Sequence, residues 1–497
     1  MFKNFHGFHL VESYHNSKGQ KRFRVVGYTK AVIAAIISIV IACLPTEVFG
    51  IPNLNPVQQR VIAVFCFAAI MWLSEAIPSW CTSVLIIVVM LFTISDKSLT
   101  CFMAAKEDGV LYVPYKSLMH CFADPTILLF IGGFVLAIGM TKTKLDVVLA
   151  KKLLAPFGTK PTTILLGFIL VTAIFSAFVS NTATAAMMLA FLAPVLRAMP
   201  DGSKDRTALA LAIPIGANIG GIATPIGTPP NTIVLGYMNE TLGLSISFGD
   251  WMLKMVPLVV LLLLCVWVML RILFPFSQKE IKLEIEGEFK PDTHTWIVIA
   301  TFIVTIFLWC FSDRLEWGLN SNIVAMLPIA IFAISGILTK RDLEEINWAV
   351  LWMVAGGFAL GVALNTTELS KVLVDAIPFS QWSALLVMIV SGIVCFGFSN
   401  FISHSAAASL LTPVLGVVAG AMVSGGVLDM GGVAQMLIGI AIAASVSMIL
   451  PISTPPNAIA HSTGFIKQSE MMKVGIFIGI LGLVAGMLWL KLPFIFG

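Results

Sequence analysis

Long stretches that would be apolar on every face of a helix recur along almost the whole chain. The segment 251–270 is typical, because Lys254 is its only charged residue. A helix that crosses a membrane needs about 20 apolar residues, whereas a membrane strand would show alternation over about ten. Charged residues make up 11% of the chain, against about 25% in soluble domains. The sequence therefore predicts an all-α membrane protein, and its net charge of +4 gives no reason to expect a nucleic-acid partner.

Eleven apolar runs have the length of single crossings. They are 28–49, 61–73, 81–94, 126–140, 207–238, 251–270, 296–311, 323–338, 348–364, 433–465 and 474–490. Two further runs, 161–196 and 382–422, are too long for one crossing and carry Ser180-Asn181 and Ser399-Asn400 near their middles. Each is predicted to be a re-entrant helical hairpin that returns to its own side of the membrane.

Lys and Arg concentrate in the cytoplasmic loops of membrane proteins. With the N-terminus inside, 22 of the 30 Lys and Arg residues fall on the cytoplasmic side. The polar, basic start of the chain leads into a full-length apolar run without an obvious cleavage site, so it does not resemble a removed signal peptide. We therefore predict a multi-pass protein of the cell membrane, with a cytoplasmic N-terminus and an external C-terminus.

The chain contains an internal repeat. The segment 225–231, Pro-Ile-Gly-Thr-Pro-Pro-Asn, returns at 451–457 as Pro-Ile-Ser-Thr-Pro-Pro-Asn, with six of seven residues identical. Each copy follows a Ser-Asn hairpin and an earlier Gly-Gly-Phe, and five full crossings separate the hairpins. Because five is an odd number, the two repeats are predicted to be inverted. The predicted divisions are a cytoplasmic segment 1–27, a first helix and repeat 28–274, a cytoplasmic linker 275–292 and a second repeat 293–497.

The repeated prolines predict two broken helices at membrane depth. Proline lacks a backbone donor and clashes with the preceding turn, and unwound backbone in a membrane must be enclosed by protein or line a wet cavity. There, free carbonyls can bind a cation and half-helix N-termini can attract an anion. The Ser and Asn side chains of the hairpins can bind either kind of ion without formal charge. Proline kinks used for packing, and small polar residues used as contacts between helices, are the alternative interpretations.

The sequence lacks the motifs that several other classes of protein require. The chain has no GxxxxGK[ST] phosphate loop and no HExxH motif. Its apolar runs hold no paired carboxylates for acid–base catalysis, and its eight cysteines show no metal-binding spacing. An enzyme and an ATP-driven pump are therefore not expected, and no bound cofactor is predicted. A channel or a membrane sensor remains an alternative class.

With its two Ser-Asn hairpins and two Pro-Pro-Asn breaks in matching order, the chain resembles the divalent anion/sodium symporter family from about residue 28 onward. The resemblance implies an inverted-repeat fold, a homodimer in the lipid bilayer, and a transport domain that moves past a fixed scaffold like an elevator. It also implies transport of di- or tricarboxylates or sulfate, with Na⁺ as the coupling ion.

The resemblance implies binding roles for the residues at matching positions of this chain. One sodium is expected at Ser176, Ser180, Asn181 and Gly227, and a second near Cys395, Asn400 and Ser453. The substrate carboxylates are expected to contact Ser180, Asn181, Thr182, Thr228, Pro229, Ser399, Asn400, Thr454 and Pro455.

The second hairpin departs from the family pattern, since it reads Ser399-Asn400-Phe401 and has Cys395 where the first half has Ser176. A thiol is a poor ligand for a hard cation, so two oxygen ligands are expected to be lost. His404 lies one helical turn beyond Asn400. It is either a neutral, packed histidine or, when protonated, a substitute for the second cation.

The sequence thus predicts a secondary active transporter of C4-dicarboxylates such as succinate, malate or fumarate, coupled to sodium by symport. The alternatives are a sodium-independent dicarboxylate exchanger and a transporter of citrate or sulfate.

Overall fold

A computed structural model of the chain describes residues 18–103, 110–200, 202–281, 291–312, 315, 318–376, 382–492 and 495. Across these ranges the chain is helical, and an isolated bridge between Ser95 and Val113 is the extent of its β pairing. Most of the predicted cytoplasmic segment 1–27 and half of the predicted linker 275–292 lie outside the described residues.

The main helices of the first half run from the N-terminal region to the linker. They are α1 Lys18–Cys43, α2 Pro56–Ser74, α3 Ser79–Thr93, α4 Pro125–Lys142, α5 Leu145–Leu154, α6 Pro161–Phe178, α7 Asn181–Ala198, α8 Lys204–Gly220, α9 Pro229–Leu242 and α10 Phe248–Leu273. Short helical turns lie at Thr46–Phe49, Thr100–Met103, Tyr115–His120, Cys121–Ala123, Ala155–Phe157 and Gly221–Ala223.

The second half repeats this order after the linker. Its main helices are α11 Thr293–Phe311, α12 Met326–Ile334, α13 Trp348–Thr366, α14 Leu369–Ala376, α15 Ala384–Phe401, α16 His404–Ser424, α17 Met430–Ser445, α18 Pro455–Ser462 and α19 Gln468–Leu490. Short turns lie at Ser321–Val324 and Lys340–Glu344.

Eleven helices among the described residues are long and apolar enough to cross a membrane. This confirms the predicted all-helical membrane fold, although the eleven are not the predicted set. Four of them are the hairpin arms α6, α7, α15 and α16, while the runs predicted at 28–49, 81–94, 323–338 and 433–465 correspond to shorter apolar helices. The hairpin arms are therefore each as long as a short crossing.

Both predicted helix breaks are present. The first half-helix α8 ends at Gly220, and α9 begins at Pro229 after a short turn and an irregular stretch. In the second half, α17 ends at Ser445 and α18 begins at Pro455. Each Thr-Pro-Pro supplies the N-cap and the first two helical positions, where proline is tolerated because no donor is needed. The prolines thus start the second half-helix of each pair.

The two halves interlock around these breaks. The second arm of the first hairpin, α7, packs against α18, which follows the break of the second half. The second arm of the other hairpin, α16, packs in turn against α9, which follows the break of the first half. The long helix α8 also contacts α18 and is buried along almost its whole length. The second arm of each hairpin therefore packs against a half-helix of the opposite repeat.

Candidate functional site

The first hairpin turns within two residues. Helix α6 ends at Phe178, Val179 is extended, and Ser180 caps α7 by accepting a hydrogen bond from the Ala183 backbone N–H at 3.2 Å. This cap satisfies a donor at the start of α7 that has no partner within the helix. The turn leaves Asn181 at the first position of α7, next to the broken helix.

Asn181 lies among oxygens that come from three different segments. Its amide is 2.5 Å from Ser176 Oγ and, with Nδ2 turned inward, donates to Gly227 O at 3.0 Å and to Ala217 O at 3.3 Å. Ser176 is fully buried, and its hydroxyl also donates to Ala217 O at 2.8 Å. The Ser176 hydroxyl and the two carbonyls are neutral oxygens, the ligands that hard cations prefer, whereas Asn181 contacts them through its NH2 group and would offer its own oxygen to a cation when the amide is turned over. The structure therefore brings together Ser176, Asn181 and Gly227, three of the four residues predicted for the first sodium.

The irregular backbone of each break is held by an asparagine that the sequence analysis did not assign. Asn231 Nδ2 donates to Thr224 O at 2.8 Å and to Gly221 O at 3.0 Å. Asn457 Nδ2 makes similar bonds in the second break, to Leu450 O at 3.1 Å, which corresponds to Thr224 O, and to Met448 O at 2.9 Å, which corresponds to Ile222 O. These side chains supply the donors that the unwound carbonyls need. Because both asparagines end the repeated motif, the repeat itself indicated that they have the same role.

A direct hydrogen-bonded contact joins the two breaks. Asn218, on the last turns of α8, donates through Nδ2 to Thr454 Oγ1 at 3.1 Å and lies 3.2 Å from Asn457 Oδ1. All three residues are buried. Since Thr454 is the N-cap of α18, this contact fixes the start of the second half-helix against the first repeat.

The tip of the second hairpin was predicted at Ser399-Asn400, and this position is wrong. Helix α15 continues to Phe401, Ile402 is extended, and Ser403 caps α16 by accepting from the Ala406 N–H at 3.2 Å. The backbone matches that of the first tip, where Val179 and Ser180 have nearly the same dihedral angles.

The corrected register changes which residues of the two hairpins are equivalent. Phe401-Ile402-Ser403-His404-Ser405 corresponds to Phe178-Val179-Ser180-Asn181-Thr182. His404 therefore holds the place of Asn181, and Ser399 holds the place of Ser176, four residues before the cap. The predicted loss of two oxygen ligands was a consequence of the wrong register, because Cys395 corresponds to Thr172 rather than to Ser176. The one marked change between the tips is a histidine in place of an asparagine.

His404 is buried and contacts the second break as Asn181 contacts the first. Its Nε2 forms a short hydrogen bond with Ser447 O. Ser447 corresponds to Gly221 at the repeat offset, and a Cβ built on Gly221 would lie only 2.7 Å from the Asn181 amide. The imidazole thus occupies the same position relative to its break as the amide of Asn181 does.

Asn400 and Cys395 are engaged with the protein itself. Asn400 donates to Phe396 O at 2.7 Å and accepts from the Ile449 N–H at 2.8 Å, so its amide fixes the backbone of the second break. Cys395 Sγ lies 3.6 Å from Ile440 O and 3.8 Å from Ser399 Oγ. The ligand roles predicted for Asn400 and Ser399 remain predictions, and the contacts of Asn400 leave it less available than Asn181.

The remaining predicted residues line the starts of the half-helices. Thr228 and Thr454 are the buried N-caps of α9 and α18, with Pro229 and Pro455 at the next position. The buried Ser453 donates to Leu450 O at 2.7 Å, while Thr182 is exposed at the tip. Helix N-termini are favourable sites for anions, and α7, α9, α16 and α18 each begin at or beside one of the two breaks.

A separate charged cavity of about 410 Å³ lies near the far end of α9, and the sequence analysis missed it. Lys116, His120, Asp124 and Glu240 line it. Eleven residues of helix separate Glu240 from Pro229, about 16 Å at 1.5 Å per residue. This cavity is therefore distinct from the site at the hairpin tips.

Gly221 provides a test of how tightly the site is built. In the Gly221→Ala variant the new methyl group would meet the Asn181 amide at 2.7 Å and Gly227 O at 3.0 Å. Overpacking of this kind costs about 1–3 kcal/mol, and it pushes Asn181 away from its oxygens. We expect a lower melting temperature and a strong loss of substrate uptake by the reconstituted protein. The matched control is Gly420→Ala, whose Cβ would meet nothing within 4 Å; equal behaviour of the two variants would contradict this packing.

Comparison with known proteins places the chain among membrane transporters. A family described as citrate transporters matches residues 69–430. An uncharacterized transporter of Haemophilus influenzae is 32% identical over 475 residues, covering 89% of this chain and 95% of that protein. The sodium-dependent dicarboxylate transporter SdcS of Staphylococcus saprophyticus is 28% identical, covering 94% of this chain and 92% of its own.

One solved structure shows the same kind of fold. The YdaH transporter of Alcanivorax borkumensis aligns with a TM-score of 0.54 at 13% sequence identity, covering 83% of this chain and 98% of that chain. At this identity the likeness concerns the arrangement of the helices and carries no information about substrate.

Proposed function

Because the chain belongs to the citrate transporter family, we propose that it is a secondary active transporter that moves a small C4-dicarboxylate together with sodium. The observation that carries this proposal is the position of Asn181. Its amide lies within 3.3 Å of two backbone carbonyls and of the Ser176 hydroxyl, at the start of a helix and beside an unwound helix. This combination offers oxygens to a cation and a helix N-terminus to an anion at one point.

The uncharged groups of the site support coupling between sodium and the dicarboxylate. The site contains neutral donors, so a dicarboxylate that enters alone meets hydrogen-bond donors and helix dipoles without a full positive charge. A sodium ion at Ser176, Ser180, Asn181 and Gly227 would add that charge next to the substrate carboxylate. Binding of the dianion is then favourable mainly when the cation is present, which is the basis of symport. The name of the SdcS relative, a sodium-dependent dicarboxylate transporter, supports this choice of substrate and coupling ion.

A second candidate, sodium-independent dicarboxylate exchange, is favoured by His404. A protonated imidazole in the place of Asn181 would supply the second half of the site with a positive charge that needs no external ion. His404 is buried against the second break, and its Nε2 contacts Ser447 O, which can accept a hydrogen bond from an Nε2–H of the neutral or of the protonated ring. Citrate and sulfate remain alternative substrates of either mechanism.

Uptake into proteoliposomes separates these candidates. With radiolabelled succinate outside, we expect accumulation above the external concentration when sodium is directed inward, and little when choline replaces sodium. Uptake that ignores sodium but requires internal dicarboxylate would reject symport in favour of exchange. Flux without accumulation under any gradient would reject both and favour a channel. Competition by unlabelled malate, fumarate, citrate and sulfate then identifies the substrate class.

We also propose the wider arrangement that the resemblance implies. The repeats 28–274 and 293–497 would be inverted in the membrane, with the N-terminus in the cytoplasm and the C-terminus outside. Two copies would form a homodimer, and the interlocked hairpins and half-helices would move as one body past the remaining helices. Single cysteines placed at Lys144 and at Gly426, in loops predicted to lie on opposite sides, test the orientation through labelling by an impermeant maleimide in a variant without the native cysteines.

A further inference from the structure

An apolar groove lies between α10 and α19, and the proposed transport mechanism does not use it. It has a volume of about 520 Å³, within the ~300–1,000 Å³ range typical of ligand pockets. Leu264, Val268, Ile272 and Leu273 of α10 and Phe477 and Leu481 of α19 line it. Several of these side chains are strongly exposed, Ile272 at 72% and Phe477 at 55%. An apolar ligand in this groove would therefore cover a considerable hydrophobic surface.

The groove has the length of one bilayer leaflet. Residues 264–273 cover about 13 Å of helix at 1.5 Å per residue, and half of a bilayer core measures about 15 Å. The groove follows the last turns of α10 and the first half of the antiparallel α19. An extended hydrocarbon chain could therefore lie in it from the membrane surface towards the midplane.

Two exposed basic residues lie close along their helices to residues that line the groove. Lys473 is exposed and precedes Phe477 by four residues on α19, so it lies on the same helix face. Arg271 is exposed in the last turn of α10, with its guanidinium 4.7 Å from the centre of the Trp267 ring. The acidic residue of this part of α19, Glu470, already accepts the Lys467 N–H at 3.0 Å. The end of the groove is therefore suited to an anionic group.

We propose that this groove binds a phospholipid with an anionic headgroup. One acyl chain fills the space between α10 and α19, and Lys473 and Arg271 hold the headgroup phosphate. A second copy of the protein is a poorer occupant, because a protein surface would have to place a negative charge at the basic end and a narrow apolar ridge along the groove. The proposal does not depend on the transported substrate. A basic residue near a membrane surface favours the binding of anionic lipids. From the summed contributions of two such residues we expect a preference of roughly 30-fold for phosphatidylglycerol over phosphatidylcholine.

The test uses the full-length protein in nanodiscs that contain a photoreactive phosphatidylglycerol or the matching phosphatidylcholine. After illumination, peptides from α10 and α19 are analysed by mass spectrometry. We expect labelling of 264–273 and of 477–481 by phosphatidylglycerol in clear excess. The Val268→Trp variant should lose this labelling because indole fills the groove, whereas Lys473→Gln combined with Arg271→Gln should bind both lipids alike.

Two control variants change exposed residues elsewhere. Ile303→Trp adds the same bulk to the exposed face of α11, and Lys340→Gln removes an exposed basic residue; both should keep the wild-type labelling. Melting temperatures establish that every variant is folded. Equal labelling by the two lipids in the wild type, or wild-type labelling of folded Val268→Trp, would overturn the proposal. So would the appearance of crosslinks between protein copies through this groove in place of lipid.

Discussion

Asn181→Ala is expected to reduce succinate uptake roughly 100-fold or more, to the level of empty liposomes, while the protein remains folded. The amide stands where a cation and a carboxylate would meet, so its removal deprives both of a charge-assisted interaction. Such interactions contribute about 1.5–3 kcal/mol each, and 1.4 kcal/mol is a factor of ten. Fold stability should fall only moderately, because Ser180 continues to cap α7 and Asn181 is half-buried, although Gly227 O loses the hydrogen bond from the amide.

The control for this variant is Asn239→Ala, which removes an exposed amide near the far end of α9. Initial uptake rates at matched protein density and melting temperatures would be measured for both. Near-normal uptake by Asn181→Ala would mean that the hairpin tip serves packing between helices. A large loss of melting temperature would also count against a binding role, since it would identify the amide as a structural support.

His404→Asn is expected to make transport more dependent on sodium. This substitution places the residue of the first hairpin tip at the equivalent position of the second, and so replaces an ionisable ring by a neutral oxygen ligand. If the imidazole supplies a positive charge in the wild type, uptake should vary with pH as this imidazole gains and loses its proton. The variant should lose that pH dependence and require a higher sodium concentration, with a steeper sodium curve.

The measurement is initial uptake as a function of sodium at several pH values. His294→Asn is the matched control, because it removes an exposed histidine at the start of α11. Sodium and pH profiles of His404→Asn that coincide with those of the wild type would show that His404 is a packing residue. Loss of all uptake under every condition would exclude an asparagine as its replacement and favour exchange driven by the histidine.

The sequence predicted the parts of this fold that depend on hydrophobic length and on proline. The predicted resemblance to divalent anion/sodium symporters is confirmed by the family match and by the SdcS relatives. Both breaks were predicted because Pro229 and Pro455 cannot continue the preceding helices. The short helices α3 and α17 lie within or across the runs 81–94 and 433–465 that were predicted as crossings, although their length alone would not have selected them.

The register of the second hairpin was predicted wrongly because the dipeptide Ser-Asn occurs in both hairpins but marks the turn only in the first. The chemistry of the turn depends on a serine N-cap after an extended apolar residue, a pattern shared by Val179-Ser180 and Ile402-Ser403. N-cap preferences contain this information, and they would have aligned His404 with Asn181. The contact between Asn218 and Thr454 could not be predicted, because it depends on how two distant segments pack.

The crossed packing of the hairpins has a consequence for biosynthesis. The tip of the first hairpin is complete once Asn181 has left the ribosome, yet α18, which packs against the second arm α7, begins only at Pro455, 274 residues after Asn181. At about 5–20 residues per second, this interval lasts roughly 14 to 55 s. During that time the polar tip of the first hairpin lies in the bilayer or the translocon, and α18 is not yet present to pack against α7. A chain truncated before α18 would keep most of its membrane helices, but α7 and α8 would lack the half-helix that they pack against.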